Sequence, residues 1–277
     1  SHFDDLAERF SRIAGALSEE LHAMVRRSVV TQVGCGRNGT LMAWQLACLG
    51  VSRLRLIDGD VIEPPNLDTP GLRAADVGQP KAQALAQTLL EFRPDLSISW
   101  QQSSVTSPDV AEWLAAPSDL IVSCVDSDAA RLRACLAAKR SLTPYLDVAS
   151  TVHRDERTRE LHLHGDALLL LPDRDGGCLS CVGGLTNREA TMYELAAPAN
   201  TLKKDRRTAW HSQRSGSLVT LNSTTVSTGV QAWLSLLRGD INHSQWFRID
   251  WQPNSGFTTQ AAIVGSTPNC TICRTIA

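Results

Sequence analysis

The sequence predicts an α/β fold: a doubly wound, mostly parallel sheet followed by a partly antiparallel C-terminal part. Three observations predict it. Short β-rich runs at 29–33, 54–57, 120–124 and 145–148 alternate with apolar stretches at helical spacing, which is the pattern of βαβ units. A glycine cluster at 34–39 falls between the first such strand and the helix after it. Beyond residue 150 the alternation stops, and β-rich runs follow one another with no helix between them.

The elements can be justified in order. Phe3, Leu6, Phe10, Ile13, Leu17, Leu21 and Met24 step by three or four and predict one amphipathic helix before residue 28. Val29–Val33 is a strand ending in the glycine cluster, Thr40–Leu49 is a helix stopped by Gly50, and Leu54–Ile57 is a strand ending at Asp58. A helix from Pro80 to Phe92 is closed by Pro94, with a strand near Ile98. The strand Leu120–Cys124 leads through Val125-Asp126-Ser127-Asp128 to a helix over Ala129–Lys139 and then to Tyr145–Val148. Glu160–Leu163 and Ala167–Leu171 read as two strands. Gly183–Ser215 is polar, with little periodicity, and reads as a long functional loop. A helix over Ser217–Leu237 and strands at Trp246–Trp251 and Thr258–Val264 complete the chain. The domains expected are an N-terminal helix (1–27), a nucleotide-binding half (28–150) and a C-terminal part (151–277). Trp44, Trp113, Trp233 and Trp251 are expected in the core.

Composition removes several classes of function. The 277 residues are 43% hydrophobic and 20% charged, enough to bury a core, and the net charge of −2 offers nothing to nucleic acid or an anionic membrane. No apolar run reaches the roughly 18 residues of a membrane span, and no signal-peptide pattern is present, so a cytoplasmic protein is expected. The chain opens Ser1-His2 rather than with Met, so residues preceding Ser1 are expected.

Cysteine positions carry more. Cys35 sits within the glycine cluster, and Cys48, Cys124 and Cys135 read as core thiols. The other four form two CxxC pairs, Cys178/Cys181 and Cys270/Cys273. In a reducing compartment such pairs read as metal sites before disulfides, and a four-thiolate tetrahedron suits structural zinc. A redox CxxC and four unrelated thiols are the competing readings.

Gly34-Cys35-Gly36-Arg37-Asn38-Gly39 is a GxGxxG between strand and helix, where backbone N–H groups meet phosphate oxygens at the positive helix end. Asp58, closing the second strand, is placed to accept from ribose hydroxyls, giving a Rossmann-like nucleotide site. Taken alone these features also fit a nicotinamide-dependent oxidoreductase. The chain then continues Asp58-Gly59-Asp60-Val61 through Asn66-Leu67, Asp76-Val77-Gly78-Gln79-Pro80-Lys81, and Val125-Asp126-Ser127-Asp128. This ordered set, from about Ser28 to Cys273, resembles the ThiF/MoeB family of adenylyltransferases related to ubiquitin-activating enzymes.

The resemblance implies roles by position. Gly34, Gly36 and Gly39 would hold the phosphates of ATP, with Arg37 and Asn38 as side-chain donors. Asp58 would bind ribose, with Asp60 close behind, and Asn66 and Lys81 would face the phosphates. Asp126 would hold Mg²⁺. The four cysteines match the family's Zn²⁺ site. The implied reaction is adenylation of the C-terminal glycine carboxylate of a small ubiquitin-like, β-grasp or sulfur-carrier protein, in a homodimer or a pseudo-dimer with a related domain. A conjugating or sulfur-transfer enzyme would act downstream. Segment 183–215 takes the place of the family's crossover loop, where His211 and Arg214 would meet the carrier's tail. That segment has no cysteine, which favours an enzyme that stops at the adenylate, with a thioester at Cys35 the lesser alternative. One departure stands out: Thr69 occupies a position where the family has arginine. Arg73 or Arg37 is expected to substitute, and the resemblance implies a further arginine from the N-terminal helix of a partner subunit, for which Arg9, Arg12, Arg26 and Arg27 are candidates. A catalytically impaired scaffold that binds a carrier or partner enzyme is the alternative that Thr69 keeps open.

Overall fold

A computed structural model describes residues 8–105, 107–154, 157–173, 175–196, 217–252 and 256–274. Its elements run α1 (Ser11–Leu17), α2 (Glu19–Arg27), β1 (Val29–Val33), α3 (Arg37–Leu49), β2 (Arg53–Ile57), α4 (Lys81–Phe92), β3 (Ser97–Gln101), α5 (Ala111–Ala115), β4 (Leu120–Ser123), α6 (Asp128–Arg140), β5 (Tyr145–Arg154), β6 (Leu161–Leu170), α7 (Arg188–Ala196), α8 (Val219–Arg238), β7 (Gln245–Gln252), β8 (Gly256–Ile263) and α9 (Thr271–Arg274).

All eight strands join one sheet in the order β3-β2-β1-β4-β5-β6-β7-β8. Pairs from β3 through β5 are parallel, and those from β5 through β8 are antiparallel. Residue 150 lies inside β5, the strand whose two edges carry the two kinds of pairing. Strand order reverses between β1 and β4, and in open α/β sheets the crevice beyond the carboxyl ends at such a point is where ligands bind.

The strands flanking that crevice are buried on both faces because helices cover both. On one face, Met42 and Leu46 of α3, Leu85 and Leu89 of α4 and Trp233 of α8 pack with Leu54 and Leu56. On the other, Leu132 and Cys135 of α6 pack with Ile121, Tyr145, Leu168, Cys178 and Cys270. β8 is different: every residue in it is exposed, including Phe257 and Ile263. No helix among the described residues is long and apolar enough to cross a membrane.

Several sequence expectations are corrected. The N-terminal helix breaks at Ser18, whose φ is 77° and whose hydroxyl caps α2 by accepting the Leu21 N–H at 3.3 Å. Met24 of the expected stripe is exposed, and Val25 is buried in its stead. The two strands expected at 160–163 and 167–171 are one, β6. Gly165 carries it past α8, where any side chain would overlap Thr225. Within 183–215 the structure has a helix, α7, and residues 197–216, with His211 and Arg214, lie outside the described residues. Trp233 is fully buried, Trp44 and Trp113 are partly buried and pack against the two core clusters, and Trp251 is only partly buried. Cys48 is exposed on α3 rather than in the core.

Candidate nucleotide crevice and four-cysteine centre

The glycine loop joins β1 to α3 at the switch point. Gly34 has φ 95°, and a Cβ there would meet the Cys124 backbone, so the turn needs glycine. At Gly39 a Cβ would overlap the Gly34 carbonyl, so the helix can approach the loop only without a side chain. Around Gly36 there is open space. The first intrahelical bond runs from Thr40 N–H to the Gly36 carbonyl, and no side chain caps α3. The N–H groups of Arg37, Asn38 and Gly39 are thus orphan donors beside an open glycine, the arrangement that receives phosphate. The chain fits a nucleotide phosphate here on its own geometry.

A residue that the sequence reading missed holds this loop. Gln32, fully buried in β1, donates its side-chain amide to the carbonyls of Gly34 and Gly39, both at 2.9 Å. The available signal was an amide side chain in an otherwise apolar strand, Val-Val-Thr-Gln-Val.

Asp58 closes β2 where expected. Its carboxylate accepts the Cys35 N–H at 2.6 Å and the Asp60 N–H at 2.8 Å, one on each oxygen. Burial holds its pKa above the ordinary 3.8 despite Lys81 and these two donors. Each oxygen retains a lone pair for a further donor. Lys81, first residue of α4, is not a solvated helix-end lysine. Its N–H donates to the Asp60 carbonyl and its Nζ lies 3.0 Å from Asp60 Oδ2, with its side chain only 16% exposed. Burial would lower its pKa, but Asp58, Asp60 and Asp126 together raise it, so it is charged throughout the neutral range. Asp126 is exposed just beyond β4, near enough to act on Lys81. Gly34, Gly36, Gly39, Asp58, Asp60, Lys81 and Asp126 therefore gather at one crevice.

Three expected residues have structural partners. Asn38 Oδ1 accepts the Ser150 hydroxyl at 3.3 Å, tying α3 to β5. Asn66 Oδ1 accepts the Glu63 N–H at 2.9 Å and shapes the short turn Pro64–Asn66, leaving its NH₂ without a partner among the described residues. Arg37 reaches that same turn region, donating to the Pro65 carbonyl at 3.0 Å and the Asp68 carboxylate at 2.7 Å. Thr69, beside it, is buried. Arg73 lies elsewhere, paired with Asp76 at 3.6 Å and with Glu91 at 3.5 Å, near the far end of α4. Arg9 stacks on Phe92 and Arg26 on Phe10, which contacts Gly50. Within one subunit these two lie by the C-terminal ends of α3 and α4, about 20 Å from the crevice by helix length.

Behind the crevice, Arg131 of α6 binds Asp128 at 2.9 Å and donates to the buried Asp147 at 3.0 Å. Asp128 also accepts the Thr186 N–H at 2.6 Å, joining α6 to the start of the 183–215 segment. Sequence reading missed this link because its two ends are far apart in the chain.

The two CxxC pairs meet. Sγ of Cys178 lies 3.7 Å from Cys181 and 3.8 Å from Cys270, and Cys181 lies 3.4 Å from Cys273. All four lie within 4.8 Å of one another. A tetrahedron with Zn–S bonds of about 2.3 Å has S···S edges of about 3.8 Å, so the thiol set fits that ion. The remaining cysteines are unsuited to nucleophilic work. Burial pushes the thiols of Cys35, Cys124 and Cys135 well up, and Cys48 is raised too, by partial burial.

Comparison with known proteins places the chain in a family and a fold. The ThiF family profile matches residues 10–269. The sulfur carrier protein ThiS adenylyltransferase of Escherichia coli K12 is 28% identical over 156 residues, covering 56% of this chain and 58% of its own length. The SAMP-activating enzyme E1 of Haloferax volcanii is 32% identical over 123 residues, covering 43% and 45%. A ubiquitin-like modifier-activating enzyme 5 of Arabidopsis thaliana is 28% identical over 172 residues, covering 57% and 38%. The chain thus spans about half the length of the curated relatives it matches. Among solved structures, E. coli MccB with AMPCPP and MccA aligns with a TM-score of 0.69 at 17% identity, covering 96% of this chain and 73% of that one. PaaA aligns with a TM-score of 0.66 at 18% identity, covering 95% and 75%. Both share the fold.

Proposed function

The chain belongs to the ThiF family, and from that premise we propose that it is an ATP-dependent adenylyltransferase. Its substrate is the C-terminal carboxylate of a small ubiquitin-like or sulfur-carrier protein. Relatives that share its sequence are an adenylyltransferase of ThiS and activating enzymes of SAMP and ubiquitin-like modifiers. The observation that carries the reading is the convergence of an uncapped helix start, Asp58, Lys81 and Asp126 at the switch-point crevice.

A carboxylate is a poor acyl donor because its leaving group is an oxide. ATP supplies the remedy: a carboxylate oxygen bonds to the α-phosphorus, the bond from that phosphorus to the α,β-bridging oxygen breaks, and pyrophosphate leaves with the electron pair. The residues' task is alignment and charge neutralisation. The N–H groups at Arg37, Asn38 and Gly39 donate to phosphate oxygens. Asp58 accepts from ribose with its remaining lone pairs, and Asp60 keeps Lys81 folded over the crevice. Lys81 offsets phosphate charge, and the free NH₂ of Asn66 donates from the opposite loop. Asp126, exposed and without structural bonds among the described residues, would hold Mg²⁺. Cys178, Cys181, Cys270 and Cys273 would hold a structural Zn²⁺, linking the 176–182 knuckle to α9. Residues 28–150 form the ATP-binding half, and 151–277 with the 183–215 crossover segment receive the carrier. The setting is cytoplasmic, in a homodimer or pseudo-dimer, with a conjugating or sulfur-transfer enzyme accepting the acyl group. The four cysteines outside the metal centre have raised thiol pKa values, so the adenylate is the species this chain hands on.

The test is ATP–pyrophosphate exchange with β-grasp proteins ending in Gly supplied singly. Exchange that needs Mg²⁺ and one particular carrier is the expected result. ATP binding without exchange on any carrier would favour the scaffold reading, whose one supporting observation is the buried Thr69 where an arginine was expected. Absence of ATP binding would reject both.

A further inference from the structure

We propose that Arg37 is the cation that grips the β- and γ-phosphates, entering from the glycine loop and doing the work for which Thr69 has no charge. The proposal rests on the adenylyltransferase reading.

Phosphate charge at the start of α3 needs cations on both sides. Lys81 provides one from the β2 side, held at 3.0 Å by Asp60. On the loop side, toward 65–69, Thr69 is a buried hydroxyl residue, Arg73 is spent on Asp76 and Glu91, and Arg9 and Arg26 lie by the far helix ends. Of these arginines within one subunit, Arg37 remains, and its geometry is specific. Every hydrogen bond it makes among the described residues comes from one nitrogen: Nη2 donates to the Pro65 carbonyl and to both oxygens of Asp68. Nε and Nη1 have no partner among the described residues. A guanidinium has five N–H donors in a rigid plane, so fastening Nη2 fixes the plane and leaves its other edge for a second anion that offers a pair of oxygens. Phosphate oxygens are such a partner, and a two-point grip on them is among the stronger charge-assisted contacts. Arg37 is also the first residue of α3, so its own N–H is one of the orphan donors at the same site. One residue thus offers backbone and side-chain donors to one phosphate chain. Asp68 and Pro65 are positioning partners: they hold the fork against the loop.

The test compares ATP with AMP, which lacks the β- and γ-phosphates, by calorimetry with Mg²⁺ on the whole chain, and needs no carrier. Losing a charge-assisted bidentate contact should weaken ATP binding by roughly 10- to 100-fold in Arg37→Ala, with AMP binding within about threefold of wild type. Arg37→Lys keeps the charge without the fork and should fall between. Asp68→Ala loosens the clasp while leaving the guanidinium and the Pro65 carbonyl, and should weaken ATP binding less than Arg37→Ala does. The proposal is overturned if Arg37→Ala binds ATP like wild type, if AMP weakens equally, or if Asp68→Ala reproduces the loss. A wild-type chain that binds no ATP would instead overturn the nucleotide reading itself, so the two failures are distinguishable.

Discussion

The candidate nucleotide crevice and the four-cysteine centre belong to one fold and are built in opposite ways. The crevice leaves donors unspent: three N–H groups at an uncapped helix start, the free amide of Asn66 and one edge of Arg37. Its acids and Lys81 lie partly open to solvent. The cysteine centre spends everything inward, with four sulfurs within 4.8 Å of one another and Cys178 and Cys270 buried in the core cluster of α6. An open polar set is arranged for a ligand that comes and goes. A closed soft one is arranged for an ion that stays.

That contrast orders the effects of mutation. The largest loss of stability should come from the closed centre. Cys178→Ser should release zinc and cost on the order of 5 kcal/mol or more, read by metal content and denaturant unfolding. Full stability without metal would contradict the structural role. In the crevice the loss should fall on activity instead. Asp126→Ala and Lys81→Ala should each lower exchange by roughly 100- to 1000-fold. Asp126→Ala should leave unfolding unchanged, and Lys81→Ala should cost no more than about 1 kcal/mol of stability. The sign of that small term follows from the raised pKa of Lys81. The charged lysine is favoured in the folded state, so its contribution is complete below the ordinary 10.5 and fades as pH climbs through the folded value. Wild type and Lys81→Ala should therefore converge in stability only in strong alkali.

Gly39→Ala sharpens the comparison from the backbone side. The added Cβ overlaps the Gly34 carbonyl, which should cost about 1–3 kcal/mol and displace the loop, lowering ATP affinity as well. An alanine variant with normal ATP binding would show that the close approach of helix and loop is dispensable. The smallest effect belongs to Cys48, exposed at the far end of α3. In zinc-loaded protein its exposure should make it the first thiol labelled, and Cys48→Ser should leave exchange unaltered. Fast labelling of Cys35 would reopen the thioester route.

Local features carried most of this into the sequence. The GxGxxG, the acids at 58, 60 and 126 and the two CxxC pairs are close in sequence to the elements that present them, and strand–helix alternation orders the parallel half. What stayed hidden depends on long-range contact. Gly165 falls between the two strands read at 160–163 and 167–171, yet it is a strand residue under Thr225 of α8. Cys48 follows an apolar pattern, but α3 buries Met42, Ala43, Leu46 and Ala47 and turns 48 outward. Gln32 and Asp128 act on groups brought near only by folding. Asn66 matched a motif, and the structure gives its carbonyl oxygen to a turn.

The central claim is that this chain moves an adenylyl group onto a C-terminal carboxylate. The most direct measurement is the intact mass of a responding carrier after incubation with the enzyme, ATP, Mg²⁺ and pyrophosphatase. A gain of one adenylyl group on the carrier's last residue, abolished by Asp126→Ala, is the predicted result. A gain of phosphoryl alone, or carrier captured as a thioester on this chain, would contradict it.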